Sequence, residues 1–330
     1  MTTKLSESPT TEKPKLNWEK SGQSFSFGQK GGDETKRQPQ PLVRDDAMNR
    51  VWAQIQAHGL EKHVAELETY GLTVVPPDKA APAGFVGRLK EATIRYIEKH
   101  EGHPIDFENG STHRNRILGA YHYLILHDPV FQEMVCQPVS VALIDYVLGE
   151  GSIIHSNSAL CKGPHDEQSP DAALALPLHS DNQLMPGPFH PFAEYANLTW
   201  TLSDYTKENG SLAWVPGSHL LCRHPLPAES NGPAIAVNAP EGSIVLWHGN
   251  TWHGSFPRTA PGIRLSVGCI YSRAYLWPRH PLRDDVTQEI LDANPPRFAR
   301  FCGRHVMTNW REEGPTMTKG LVHAYRTRFH

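Results

Sequence analysis

The apolar residues between positions 152 and 271 come in six short runs, at 152–160, 175–181, 198–203, 211–215, 243–247 and 263–271, with Gly, Pro and Asn concentrated between them. That punctuation is too dense for helices of ordinary length and suits β-strands, which commonly span about 3–10 residues. Strands this short, separated by turns, predict an all-β double sheet of jelly-roll type, that is, a cupin-like double-stranded β-helix. Within it Asn209-Gly210 is a hairpin signal, since both residues tolerate positive φ. Pro216-Gly217-Ser218-His219 reads as a turn that shapes the barrel, with His219 structural.

Upstream the periodicity changes. Met48, Val51, Trp52 and Ile55 recur at helical spacing, and after Gly59 the series resumes with Leu60, Val64 and Leu67. Residues 71–77 read as a strand ended by prolines, and 85–100 as a helix burying Val86, Leu89, Ala92, Ile94 and Ile97. Residues 101–116 are polar and form a loop bordering the barrel. The aromatic and branched residues of 120–127 predict a strand that sends His122 and His127 to opposite faces, so these two cannot share a metal and are read as structural. A helical stretch over 128–148 is divided or bent at Pro138 and ended by Gly149.

The fold class is therefore mainly β with flanking helices. A helical buttress (46–148), a jelly-roll core (about 152–272) and a C-terminal helical extension (273–330) make one domain over 45–330. Residues 1–44 are too polar to offset their ordering entropy and are expected to be a disordered or loosely draped tail, Phe25 and Phe27 included. Basic and acidic residues nearly balance, 32 against 35, so bulk charge points to no nucleic-acid partner. From Arg273 onward ten Lys/Arg face six Asp/Glu, a modest basic excess that reads as solvated surface. The five cysteines are scattered without a Cys-x-x-Cys pair and read as reduced thiols. No run reaches the roughly 18 apolar residues of a membrane helix and the first residues lack a secretory apolar core, so a cytoplasmic enzyme without membrane partners is expected.

The chemistry centres on Leu176-Pro177-Leu178-His179-Ser180-Asp181-Asn182. On a strand, the period of two places His179 and Asp181 on one face. A third ligand is available in Trp252-His253-Gly254, just beyond the apolar run 244–247. Two His and one Asp form a facial triad that leaves coordination positions open and is the usual set for non-haem Fe(II) oxygenases, whereas structural zinc wants four ligands. Singly, a His-x-Asp pair is common by chance, and His248 rivals His253 for the third place. The run 263–271 alternates, with Arg264, Ser266 and Gly268 on its small, polar face. An inward arginine there offers a planar fork that matches a carboxylate; an isolated one would more simply be a solvated strand residue.

Taken in order, His179-x-Asp181, Asn209-Gly210-Ser211-Leu212, Pro216-Gly217-Ser218-His219, His253 and Arg264 resemble the phytanoyl-CoA dioxygenase family of Fe(II)/2-oxoglutarate oxygenases, over roughly residues 67–277. The resemblance implies that Fe(II) is held by His179, Asp181 and His253, the spacing to Arg264 favouring His253 over His248. It implies that Arg264 holds the distal carboxylate of 2-oxoglutarate, with the Ser255 hydroxyl near this co-substrate, and that O2 takes the remaining position. The outcome would be hydroxylation of an aliphatic C–H bond of a small organic substrate, with succinate and CO2 as co-products. Related halogenases leave the position of Asp181 open for halide; here it is filled.

Substrate choice in such a scaffold sits in its loops. Candidates are Gln183 and Phe189 in the loop 183–195, with Met185, Phe192 and Tyr195 completing an apolar wall, and Tyr275 and Trp277 near the barrel mouth. Two other classes remain open. A cupin-like metal enzyme that does not use 2-oxoglutarate would favour a His-x-His pair with a nearby Glu and would have no need of Arg264. A non-catalytic binding domain on the same scaffold would not need an intact triad. Substrate identity and oligomeric state are not encoded in any motif.

Overall fold

Alternation along the central strands decides which face meets the helices and which meets the second sheet. The computed structural model describes residues 44–110, 121–164, 174–182 and 185–304, with the short ladder at 310–311 and 314–315. Residues 1–43 of the expected tail, and Gln183, lie outside the described residues.

The helical opening is α1 (Arg44–Ala57), α2 (Glu61–Tyr70), β1 (Leu72–Val75), α3 (Pro77–Ala80), α4 (Phe85–Glu101), β2 (Tyr121–His122), α5 (Pro129–Val135) and α6 (Pro138–Leu148). It is followed by β3 (Ile153–Lys162), β4 (Leu176–His179), β5 (Tyr195–Thr201), β6 (Leu212–Trp214), β7 (Ile235–Ala236), β8 (Ile244–His248), β9 (His253–Ser255) and β10 (Arg264–Ser272). The chain then forms α7 (Leu282–Asp285), α8 (Gln288–Asp292), α9 (Pro296–Phe301), β11 (Trp310–Arg311) and β12 (Gly314–Pro315). Pro129 and Pro138 each open a helix, where a missing N–H costs nothing, so the predicted break falls as expected.

A large sheet runs in the order β1-β8-β5-β10-β3-β2 and a smaller one in the order β4-β9-β6-β7, every pairing antiparallel. One face of the large sheet carries Leu198, Trp200, Leu246, Leu265, Val267 and Tyr271 into the main core with Ile55, Leu89, Ile97 and Leu143 of the helices. Trp200 is fully buried, edge-on to Phe85 at 5.3 Å between ring centroids. The opposite face turns to the small sheet, where Leu72, Val245 and Trp247 pack with Trp214 of β6. The site lies between these two layers, on β4 and β9 of the small sheet and β5 and β8 of the large one.

Two local expectations are corrected. The segment 120–127 is a strand only at Tyr121–His122; Tyr123 then takes φ +65° and a tight turn buries Leu124 and Ile125. The cause lies just downstream, where the Asp128 carboxylate caps α5 by accepting from Val130 N at 3.0 Å and forces the chain round. His122 lies on the sheet edge against His280, and His127 packs on Tyr96. Asn209-Gly210 closes no hairpin, because β5 pairs in the large sheet and β6 in the small one, so the turn lies in the crossing between layers. Past β10 the described residues hold three short helices, α8 capped by Thr287, and the two-residue ladder of β11 with β12.

Those C-terminal helices are fastened through a buried ion pair. Arg297 of α9 donates to Asp145 of α6 at 2.5 Å and to Ser152 Oγ at 2.8 Å. Burial pushes the Asp145 carboxyl up, with Arg297 pulling it partly back, so the pairing offsets only part of the desolvation. Asp145→Ala, which strands the guanidinium, is expected to cost about 3–5 kcal/mol in chemical denaturation, as breaking a buried pair does. An unchanged midpoint would show that α9 is held by its apolar contacts alone.

Candidate metal centre

Strands β4 and β9 pair so that His179 lies opposite His253, and their rings sit 4.4 Å apart between centroids. Each Nδ1 approaches the carbonyl two residues earlier, His179 to Pro177 at 3.0 Å and His253 to Thr251 at 2.9 Å. With Nδ1–H donating there, both rings are fixed in the tautomer whose Nε2 lone pair is available. His253 Nε2 stands 3.7 Å from Asp181 Oδ1, and one ligand atom from each of His179, Asp181 and His253 falls within 4.8 Å of the others, a group fit for a metal ion. Burial, then the neighbouring His253, pushes His179 down to about 4 against the pull of Asp181, which keeps it in the neutral, ligating form.

Asp181 arrives differently from the strand alternation expected. The strand stops at His179, Ser180 is buried, and a bend carries Asp181 round, its N–H donating to Gly249 O at 3.0 Å. Two residues that the sequence did not single out then orient the carboxylate. Asn197 Nδ2 and Trp247 Nε1 both donate to Oδ2 at 3.2 Å, which leaves Oδ1 to face the histidines. They are partners across β5 and β8, on the inner face of the large sheet. Asn197→Ala and Trp247→Phe are each expected to weaken metal binding about 10–100-fold, the usual cost of losing an outer partner. The check is Mn(II) affinity; wild-type values would show that Asp181 needs neither.

The predicted turn at Pro216-Gly217-Ser218-His219 positions the strand bearing His253. Ser218 Oγ donates to Val215 O and accepts from Trp252 N at 2.8 Å, one residue before the ligand. Thr251 Oγ1 donates to Gly71 O, and Gly71, at φ +82°, has no room for a Cβ against Thr251 and His219. His219 is thus structural, as read. His248 faces His219 at 5.3 Å and accepts from Asn250 N, so it stands apart from the triad. At Gly254 a Cβ would collide with the Leu176 carbonyl, so glycine allows β4 and β9 to approach closely enough for the two histidines to meet.

Beyond His253 the groove becomes cationic. Arg264 is buried, its guanidinium lies 4.4 Å over the Tyr205 ring, and one nitrogen donates to the Gly210 carbonyl, so the Asn-Gly turn frames the arginine. Its Nε has no partner. Lys162, directly across from Arg264 on β3, donates to Ser255 Oγ at 2.8 Å. The sequence reading ended that strand at Leu160 and missed it; continuing the alternation through Ser158 and Leu160 places Lys162 on the inner face.

At the opposite end, Tyr195 lies one inward step from Asn197, and the His155 ring meets it edge-on at 5.1 Å. His155 is buried and its Nδ1 has no partner. It too escaped notice in the sequence. Among the loop candidates, Phe189 is buried edge-on against His224, so it packs the loop instead of offering a wall to a ligand. Tyr275 is exposed, with its hydroxyl bonded to Glu194, and Trp277 is 85% exposed.

Comparison with known proteins follows this geometry. The family model described as phytanoyl-CoA dioxygenase (PhyH) matches residues 67–266. The protein of Aspergillus fumigatus named dioxygenase af480 is 27% identical over 264 residues, 78% of this chain and 78% of its own. A probable phytanoyl-CoA dioxygenase of Caenorhabditis elegans is 25% identical over 198 residues, 53% of this chain and 62% of its own. Among solved structures, HygX from Streptomyces hygroscopicus, crystallised with nickel and 2-oxoglutarate, aligns with a TM-score of 0.51 at 18% identity, covering 66% of this chain and 89% of that one, a likeness of fold. The family-model match over residues 67–266 spans His179, Asp181, His253 and Arg264 and covers more than half of the chain, which belongs to the phytanoyl-CoA dioxygenase family.

Proposed function

We propose that this chain is an Fe(II)- and 2-oxoglutarate-dependent dioxygenase that hydroxylates an aliphatic C–H bond of a small organic substrate, on a jelly-roll core formed by the two facing sheets. The observation that carries the reading is the convergence of two Nε2 atoms and one carboxylate oxygen beside a buried arginine that no carboxylate pairs among the described residues. Family membership supports it.

The donor set fits the metal. Two neutral imidazoles and a carboxylate suit a divalent first-row ion, and three protein ligands leave positions for other molecules. When bound, the iron would supply O2 activation coupled to decarboxylation of 2-oxoglutarate to succinate and CO2. The chain's own work is placement. His179, Asp181 and His253 hold one face, and Asn197 with Trp247 fixes which Asp181 oxygen points inward. Arg264, with Ser255 nearby, receives the distal carboxylate of the co-substrate. Because Asp181 occupies its ligand position, no protein vacancy exists there for a halide, which favours hydroxylation. At the Tyr195 and His155 end, the unpartnered His155 Nδ1 offers the substrate a polar contact.

The test is a screen of metabolites and acyl-CoA thioesters for compounds that accelerate O2 consumption by the iron-loaded protein and gain one oxygen atom by mass. A product lacking two hydrogens instead would reassign the reaction as desaturation.

A further inference from the structure

Three basic side chains gather between the sheets beyond His253. Lys162 is buried, and its nitrogen donates to Ser255 Oγ and to the Phe256 carbonyl. Arg264 faces it from β10, with Gly210 O as one acceptor and Nε without any. Arg258 lies behind, taken up by the oxygens of Gly262, Pro261 and Asn209. None of the three pairs with a carboxylate among the described residues. The other groups around them are the Tyr205 ring beneath Arg264, Lys207 over Phe256 and Gly210 against the lysine stem. Glu101 acts on Cys161, which points to the helix side of the sheet, away from Lys162. Buried cations without a counter-charge are costly unless something else supplies one.

The lysine responds to this crowding in a way that an arginine cannot. Burial, then Arg264 and Arg258, holds the Lys162 ammonium down to about 6. Near neutral pH, before any anion arrives, its side chain is therefore mostly the free amine, which still has two N–H donors for Ser255 Oγ and Phe256 O. An incoming carboxylate reverses the balance, because an opposite charge at contact favours the protonated form.

Resting on the co-substrate reading above, we propose that Lys162 is a second cation for the distal carboxylate of 2-oxoglutarate, beside Arg264, and that binding of the co-substrate takes up one proton on Lys162 Nζ. The amine lone pair accepts the proton from solvent, and no other bond forms or breaks. The sign follows. Below about pH 6 the ammonium is already present, and binding is uncoupled from protons. Above it, affinity for 2-oxoglutarate falls as pH rises, by at most about tenfold per pH unit for one proton.

The experiment is calorimetric titration of 2-oxoglutarate into the Ni(II)-loaded protein at about pH 7, in two buffers of different ionisation enthalpy. Metal is loaded first, so its ligands contribute no proton. Wild type is expected to take up close to one proton per 2-oxoglutarate. Lys162→Met is expected to take up none and to bind about a hundredfold more weakly at acidic pH, with the gap narrowing as pH rises. Lys162→Arg keeps the charge, so it should bind without proton uptake and with little pH dependence, and it carries the test if the methionine variant misfolds. A lysine that only braces Ser255 and Phe256 would alter affinity without changing the proton count. Zero uptake by wild type, or undiminished uptake by either variant, overturns the proposal and leaves the oxygenase reading standing. Failure of metal-loaded wild type to bind 2-oxoglutarate at all overturns both.

Discussion

His179→Ala, Asp181→Ala and His253→Ala are each expected to abolish turnover while the thermal melt stays near that of wild type. The physical reason is arithmetic at the metal: three protein ligands leave none to spare, and losing one should exceed the roughly 10–100-fold that an outer partner costs. The fold should survive, because the triad sits in the polar groove while the main core, from Trp200 to Tyr271, lies on the other face of the large sheet. His248→Ala is the control. That ring faces His219 rather than the triad, so iron binding in this variant should match wild type. Iron-dependent activity retained in His253→Ala would remove His253 from the ligand set.

Arg264 carries the second large effect. Arg264→Ala removes a buried guanidinium from the face of Tyr205 and from the cationic end of the groove, and Arg264→Lys keeps a charge but loses the planar fork. Losing a charge-assisted pair in a partly dry site costs about 1.5–3 kcal/mol, roughly tenfold to a hundredfold in affinity. The expected outcome is a rise of that size in the 2-oxoglutarate concentration needed for half-maximal succinate formation, with iron affinity little changed. The same co-substrate dependence in both variants as in wild type would mean that Lys162 or Arg258 holds the carboxylate without it.

What the sequence made legible follows from range. Short-range signals, namely turn residues, alternation and the His-x-Asp spacing, located most of the strands and pointed to His179 and Asp181, while the ordered resemblance to the family chose His253 over His248 and gave Arg264 its role. Features set by pairing between distant segments did not show. Asn197 and Trp247 converge on Asp181 only because β5 and β8 pair in one register, and neither residue type announces that role. Lys162 lies two residues beyond the strand read at 152–160, and only its place across from Arg264 makes it part of the site. The Asn-Gly signal correctly marked a turn at Gly210, φ +69°, yet turn chemistry cannot say whether the strands it joins share a sheet. Phe189 was ambiguous for a related reason: an aromatic in a loop can line a cavity or anchor the loop, and here it anchors.

The account stands most directly on one measurement: succinate formed from 2-oxoglutarate by the purified protein, with and without Fe(II), in parallel with the His253→Ala variant. Iron-dependent succinate from wild type and none from the variant is the result predicted. No succinate from wild type loaded with iron and given O2 and 2-oxoglutarate, across the range of substrates screened, would contradict the assignment of this groove as an oxygenase site.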